Sequence, residues 1–147
     1  MNAVYCNILI RLAQLSSLAA KRLSSVQAFR QRPEILVGAV SELDEELTTL
    51  KRSIEPILCL GSPLDLNKLP MGMSLQQTIY LQYAYFNTVF DIHTVLTYPW
   101  SQSILGLAQH STLRSQVERS IHVVAEACRE AILATKYIHV DASTPVP

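Results

Sequence analysis

Apolar side chains recur along most of this chain at steps of three and four residues, the spacing that stacks them on one face of an α-helix. Val4, Ile8, Leu12, Leu15, Ala19, Leu23 and Val26 keep that spacing from the N-terminus, and predict a first helix over about residues 3–25 that ends before Pro33. Pro33 suits the first position of a second helix, with Glu34 in the first turn where the helix dipole favours an anion. The cleanest periodicity follows: Leu36, Val40, Leu43, Leu47, Leu50 and Ile54 alternate steps of four and three. Such a heptad stripe packs helix on helix, either inside its own domain or against a partner. Should Gly38 break this helix, Ser41 and Asp44 can restart it.

Pro56 closes the second helix, and Gly61, Pro63, Asn67, Pro70 and Gly72 mark residues 59–73 as a loop. Ser74 with Gln77 makes a capping box for a third helix over 74–97. That helix carries two stripes, one through Leu75, Ile79, Tyr83, Phe86 and Phe90, the other through Leu81, Tyr85, Val89, Ile92 and Leu96. Apolar on both sides, it belongs in the middle of a bundle. Pro99 stops it; a short segment at about 102–108 and a polar turn at 109–112 come next. Ser115 and Glu118 repeat the capping-box pattern, and Val117, Ile121, Val124, Cys128, Ile132 and Thr135 form the apolar face of a last helix reaching about residue 138. The expected fold is all-α, a helical bundle of four principal helices.

Of the 147 residues, 49% are hydrophobic and 16% charged, which excludes a disordered chain and fits one domain. Twelve basic and twelve acidic residues cancel, so the overall positive charge that duplex DNA selects is missing. Locally the charges separate: residues 1–33 carry five basic residues and no acid, whereas 34–55 carry six acids against Lys51 and Arg52. The first two helices therefore attract each other. An acid-free, Arg-containing amphipathic start is also the composition of a mitochondrial leader, a minor alternative here. The uncharged stretches 69–90 and 92–113 hold Gln76, Gln77, Gln82, Asn87, His93 and Pro99, so no transmembrane segment is expected.

Candidate chemistry is sparse. Cys6, Cys59 and Cys128 contain no CxxC, which leaves neither a disulfide framework nor a four-thiolate zinc site. GxSxG, HExxH and glycine-rich phosphate loops are missing, and with four glycines phosphate cradles are nearly excluded. His122 and Glu126 stand one turn apart and in principle share a metal, but two ligands do not make a site. Cys128 falls on a different face from His122, so the two do not form a nucleophilic pair. Asp91 is an isolated carboxylate among aromatics, expected at the solvent rim or under a Tyr hydroxyl. His93 reads as a neutral imidazole bonded to a neighbour. Tyr80, Tyr83, Tyr85, Phe86 and Phe90 either pack the core or line a ligand cavity. No enzyme activity is expected.

At the third helix the order of residues becomes specific. Leu81-Gln82-Tyr83-Ala84-Tyr85-Phe86, followed by Asp91-Ile92-His93-Thr94-Val95-Leu96, resembles the central helix of the fungal-specific transcription factor domain. That domain is the regulatory middle region of fungal binuclear zinc-cluster transcription factors. A Leu-x-Leu-x-Tyr-His stretch there leads, eight residues after the tyrosine, into a Leu-His-Arg-Pro turn; Tyr85 and His93 match, while Phe86 replaces the His and Thr94-Val95 the Arg-Pro. The segment from Ser41 through Leu47, with Leu50 and Pro56, is similar to the family's acidic helix. Ala125, Ala127, Cys128 and Ala131 are similar to its Cys- and Ala-rich helix.

The resemblance covers about residues 1–140, and implies a partial regulatory domain with 141–147 as a tail or truncation point. It implies a nuclear, non-catalytic module that regulates transcription through a protein partner, the remainder of its parent regulator or a small effector. Tyr83, Tyr85, Phe86, Phe90, His93 and Trp100 would shape its core. The family's six-cysteine zinc cluster, which reads DNA, precedes this domain; this chain has neither those cysteines nor the space, so zinc and DNA binding are expected only of the parent. The alternative is a free-standing helical adaptor, a homodimer through Leu36, Val40, Leu43, Leu47, Leu50 and Ile54.

Overall fold

A computed structural model describes residues 3–104, 106 and 111–138, and among them every regular element is helical. Five α-helices follow in order: α1 (Ala3–Leu23), α2 (Pro33–Ile54), α3 (Leu75–Thr97), α4 (Pro99–Ile104) and α5 (Ser111–Ala134). Single 3-10 turns at Ala28–Arg30, Leu66–Lys68 and Thr135–Tyr137 punctuate the connections and the end of α5. The all-α expectation holds, with four long helices and one short one. Residues 141–147, where a tail was expected, lie outside the described residues, as do 105, 107 and 108 of the short segment expected at 102–108.

The local signals explain most boundaries. Pro33 opens α2, with Arg32 extended before it and Glu34 in the first turn. Gly38 does not interrupt α2, so Ser41 and Asp44 have no helix to restart. Both bonds of the capping box form at α3: the Gln77 N–H donates to Ser74 Oγ at 3.1 Å, and the Ser74 N–H to Gln77 Oε1 at 3.0 Å. The second capping-box pattern does not mark a helix start. α5 begins at Ser111, so Ser115 and Glu118 lie inside it, and Glu118 instead pairs with Arg114 one turn back.

α3 sits in the centre, packed on α1, α2 and α5. Arg22 meets Glu42 while Arg11 reaches Ser53 Oγ, so α1 and α2 run antiparallel, their opposite charges side by side as expected. His93 meets Asp44 while Lys51 covers the Tyr85 ring, which makes α2 and α3 antiparallel as well. Tyr83 Oη donates to the Ala131 carbonyl at 3.0 Å and His93 reaches Ser120, giving α3 and α5 the same relation. α1 and α3 exchange a polar contact between Ser16 and Thr88.

The core follows the sequence stripes in α1, α2 and α3. Ile8, Leu12, Leu15, Ala19 and Leu23 of α1 are buried, but Val4 and Val26, assigned to the same stripe, are exposed, because the helix stops at Leu23 and its first turn overhangs the bundle. By length and composition alone, the segment Ala3–Arg30 is long and apolar enough to cross a membrane. Its five buried positions nevertheless face the bundle.

All six positions of the α2 stripe, Leu36, Val40, Leu43, Leu47, Leu50 and Ile54, are at most 4% exposed. They are filled by the chain's own helices, so a dimer built on those side chains would have to open the bundle; this corrects the adaptor seam. α5 departs further from expectation. Of Val117, Ile121, Val124, Cys128, Ile132 and Thr135, only Val117 is buried; Ile121 is 42% and Ile132 69% exposed. The inward face consists instead of Leu113, Val117, Ser120, Ala127, Glu130 and Ala134.

Candidate functional site

The polar centre of the bundle is built where α2, α3 and α5 meet. His93 of α3 is fully buried, with Nδ1 3.0 Å from Ser120 Oγ of α5 and Nε2 3.3 Å from Asp44 Oδ1 of α2. The second oxygen of Asp44 accepts from Arg119 Nη2 at 2.6 Å. A carboxylate only accepts, so Nε2 carries the proton that it donates to Asp44, and Nδ1 meets the Ser120 hydroxyl. The hydrogen bond from His93 is the main cause that holds the Asp44 carboxyl below the usual carboxylate range; burial opposes it and the Arg119 charge adds to it. One residue from each helix is thereby fixed to the next.

Serine, histidine and aspartate in a chain of hydrogen bonds have the composition of a nucleophilic triad. Here Ser120 and His93 are both 0% exposed, sealed between helices, and no substrate reaches the hydroxyl in this arrangement. What the geometry does is set register. Sliding α5 by one turn against α3 would leave a buried imidazole and a buried hydroxyl without partners, a cost of ~1–3 kcal/mol for each group.

The aromatic residues on α3 separate into two environments. Phe86 is buried and meets Tyr83 and Tyr85 edge to face, with ring centroids 6.4 and 5.8 Å away. Tyr83, Tyr85 and Phe90 are half-buried against the core. Burial, and after it the negative charge of Asp44, pushes the Tyr85 phenol up. Trp100, expected in the core, is 59% exposed and stacks on Tyr98 at 4.6 Å. The reason is its place in α4: the helix restarts at Pro99, one residue beyond the turn that ends α3, and turns the indole outward. Tyr80 and Tyr83 face a groove of about 560 Å³, closed on its other sides by Leu75, Ile79, Tyr137 and Ile138. The cavity reading of the aromatic run therefore applies to two of its members, and core packing to the rest.

The remaining candidates stay apart. Asp91 is half-buried and accepts from Asn87 Nδ2 at 3.0 Å, an amide rather than a Tyr hydroxyl. His122 and Glu126 are exposed, and Glu126 binds Arg129 at 2.8 Å. Among the described residues no three His, Cys, Asp or Glu side chains gather as a metal site would require. Cys6, Cys59 and Cys128 are free thiols, the last two exposed.

Sequence reasoning missed Ser120, Arg119 and Gln82. Gln82 is 2% exposed; its Oε1 accepts from the Gly61 N–H at 2.8 Å and its Nε2 donates to the Cys59 carbonyl at 3.0 Å, which ties the long loop to α3. Gly61 is needed there: its φ is +71°, and a Cβ would lie 2.5 Å from the Tyr85 ring. A polar residue at a buried helical position was the available signal for Gln82. Nothing local marks Ser120, whose partner lies 27 residues away. Compared against known protein families, curated proteins and solved structures, the chain matches none of them.

Proposed function

We propose that the chain is a non-catalytic regulatory module of a fungal zinc-cluster transcription regulator, acting in the nucleus by holding or releasing an activation or DNA-binding segment in response to a protein partner or a small effector. The observation that carries this reading is the placement of Tyr85 and His93, the two positions that match the family's central pattern. Both lie on α3, the helix against which every other α-helix packs. A signal received at one helix would pass to the others through this shared element. The sealed serine and histidine favour a binding role over a catalytic one.

The test is transcriptional. The chain is inserted between a heterologous DNA-binding domain and an activation domain in a yeast reporter strain, beside the same fusion carrying Leu47→Asp and a fusion with no insert. A regulatory module is expected to change reporter output at equal protein level, and the unfolded variant to abolish that change. Equal output from all three fusions would overturn the reading.

A further inference from the structure

The corner where α1 turns into α2 gathers cations that the bundle leaves unused. Lys21 and Arg22 close α1, Arg30 ends the following 3-10 turn and Arg32 precedes Pro33, whereas Glu34 is the single acid before residue 42. Arg22 is taken by Glu42. Among the described residues Lys21, Arg30 and Arg32 form no ion pair, and all three are exposed. Val26, Phe29 and Ile35 of the same corner are exposed as well. A cleft of about 380 Å³ opens here, lined by the buried Ala28 and Ala39 and by the exposed Lys21, Gln27, Gln31 and Ile35. Two further lining residues, Arg22 and Ser25, already have partners in Glu42 and the Ala28 N–H.

We propose that this corner binds an acidic peptide segment of a protein partner, its carboxylates lying on Lys21, Arg30 and Arg32 and one of its apolar side chains entering the cleft beside Ile35. Lysine and arginine only donate, so a row of carboxylates answers them, and opposite charge selects such a segment over neutral or basic ones. The exposed apolar side chains require apolar contact in return, which the phosphate backbone of a DNA duplex does not offer. The cleft favours a peptide over an anionic membrane. A bilayer presents its headgroups as a plane, whereas a side chain projecting from an extended backbone enters a recess, and the Gln27 and Gln31 amides both donate to and accept from peptide groups. Alanine at both buried lining positions leaves that recess open. The binding surface is argued apart from the transcriptional reading. Within that reading it selects an activation segment, in which acidic and apolar residues alternate, over a basic DNA-binding one.

Exposed charge pairs are individually weak, so dissociation on the order of 10–100 μM is expected. The full chain is titrated into a short fluorescent peptide that alternates aspartate with leucine and phenylalanine, and anisotropy is followed. Saturable binding is expected, weakened several-fold when salt is raised from ~0.05 to ~0.3 M. Replacing the peptide's aspartates by asparagine should weaken it tenfold or more, and replacing its apolar residues by serine several-fold; neither comparison needs a folded variant. On the protein, Arg30→Glu with Arg32→Glu should cost tenfold or more and Ile35→Ser several-fold, with the circular dichroism melt unchanged. Arg52→Glu, an exposed reversal at the far end of α2, should leave binding within twofold. No saturable binding, equal binding of the asparagine peptide, an equal loss with Arg52→Glu, or tighter binding of phosphatidylcholine–phosphatidylserine vesicles or of a DNA duplex would each overturn the proposal. A silent reporter fusion alongside saturable peptide binding would overturn the transcriptional reading alone.

Discussion

α2 and α5 are similar in length and both carry a clean apolar stripe, yet they meet the bundle in opposite ways. α2 buries its whole stripe, and its polar side faces water. Beyond Leu113 and Val117 near its start, α5 buries small and polar residues, and it leaves its isoleucines outside. The difference lies in what each helix must meet. α2 lies along α1 and α3 where leucine-sized side chains fill the space between axes. α5 lies on α3 opposite His93 and Tyr83, whose polar ends require partners at Ser120 and at the Ala131 carbonyl. Small residues at Ser120, Ala127, Ala131 and Ala134 let the helix come close enough to supply them. An apolar stripe marks a helix; which face turns inward depends on what the neighbouring helix presents.

Four substitutions or conditions would break this contrast or sharpen it. The largest effect is expected from Leu47→Asp, which places an unpaired charge in the fully packed α2 seam at a cost of several kcal/mol, ~3–5 by the usual range for an uncompensated buried charge. Thermal melting followed by circular dichroism should show the cooperative transition lost or displaced far downward. A dimer of folded monomers losing only its association would contradict the burial of this stripe.

His93→Leu attacks the polar side of the contrast. It keeps the volume but strands the Ser120 hydroxyl and an Asp44 oxygen, and should destabilise by ~2–3 kcal/mol in urea titration. Combining it with Ser120→Ala should recover part of the loss, because both ends of that hydrogen bond are then removed together.

A smaller effect is expected from acid. The Asp44 carboxyl is depressed in the folded chain, so its stabilising contribution is complete above the unfolded carboxylate value near ~3.9 and is lost as pH falls through the lower folded value. Melting temperature should therefore fall more steeply below about pH 4 in the natural chain than in Asp44→Asn. Equal slopes would mean that the network contributes no proton linkage.

Ile132→Glu should have the least effect on the folded monomer, within ~0.5 kcal/mol, since the side chain is 69% exposed. A large loss of monomer stability would place this residue inside the core and reverse the assignment of the two faces of α5.

These contrasts also mark how far the sequence could be read. Helix positions followed from proline, capping residues and stripe length, because those signals act within a few residues; Pro33, the Ser74–Gln77 box and the α2 stripe all produced the expected geometry. The start of α5 escaped because Ser115 and Glu118 match a capping box but have another helical turn before them. His93 was correctly expected to bond to a neighbour, yet its partners Asp44 and Ser120 stand 49 and 27 residues away, and periodicity carries no information about such pairings. Trp100 was misplaced because size and hydrophobicity favour burial, while the restart of the helix at Pro99 decides direction.

The polar and small inner face of α5 has a consequence for motion. Among the described residues, the buried surface that α5 itself contributes is mostly alanine, serine and glutamate beside Leu113 and Val117, whereas α1, α2 and α3 bury leucines against one another. The sub-global opening that frees α5 should therefore cost less than complete unfolding, and α5 should behave as a separate foldon. Native-state amide hydrogen exchange would then show two plateaus of protection, the lower one across Leu113–Ala134 and the higher one in the middle turns of α2 and α3.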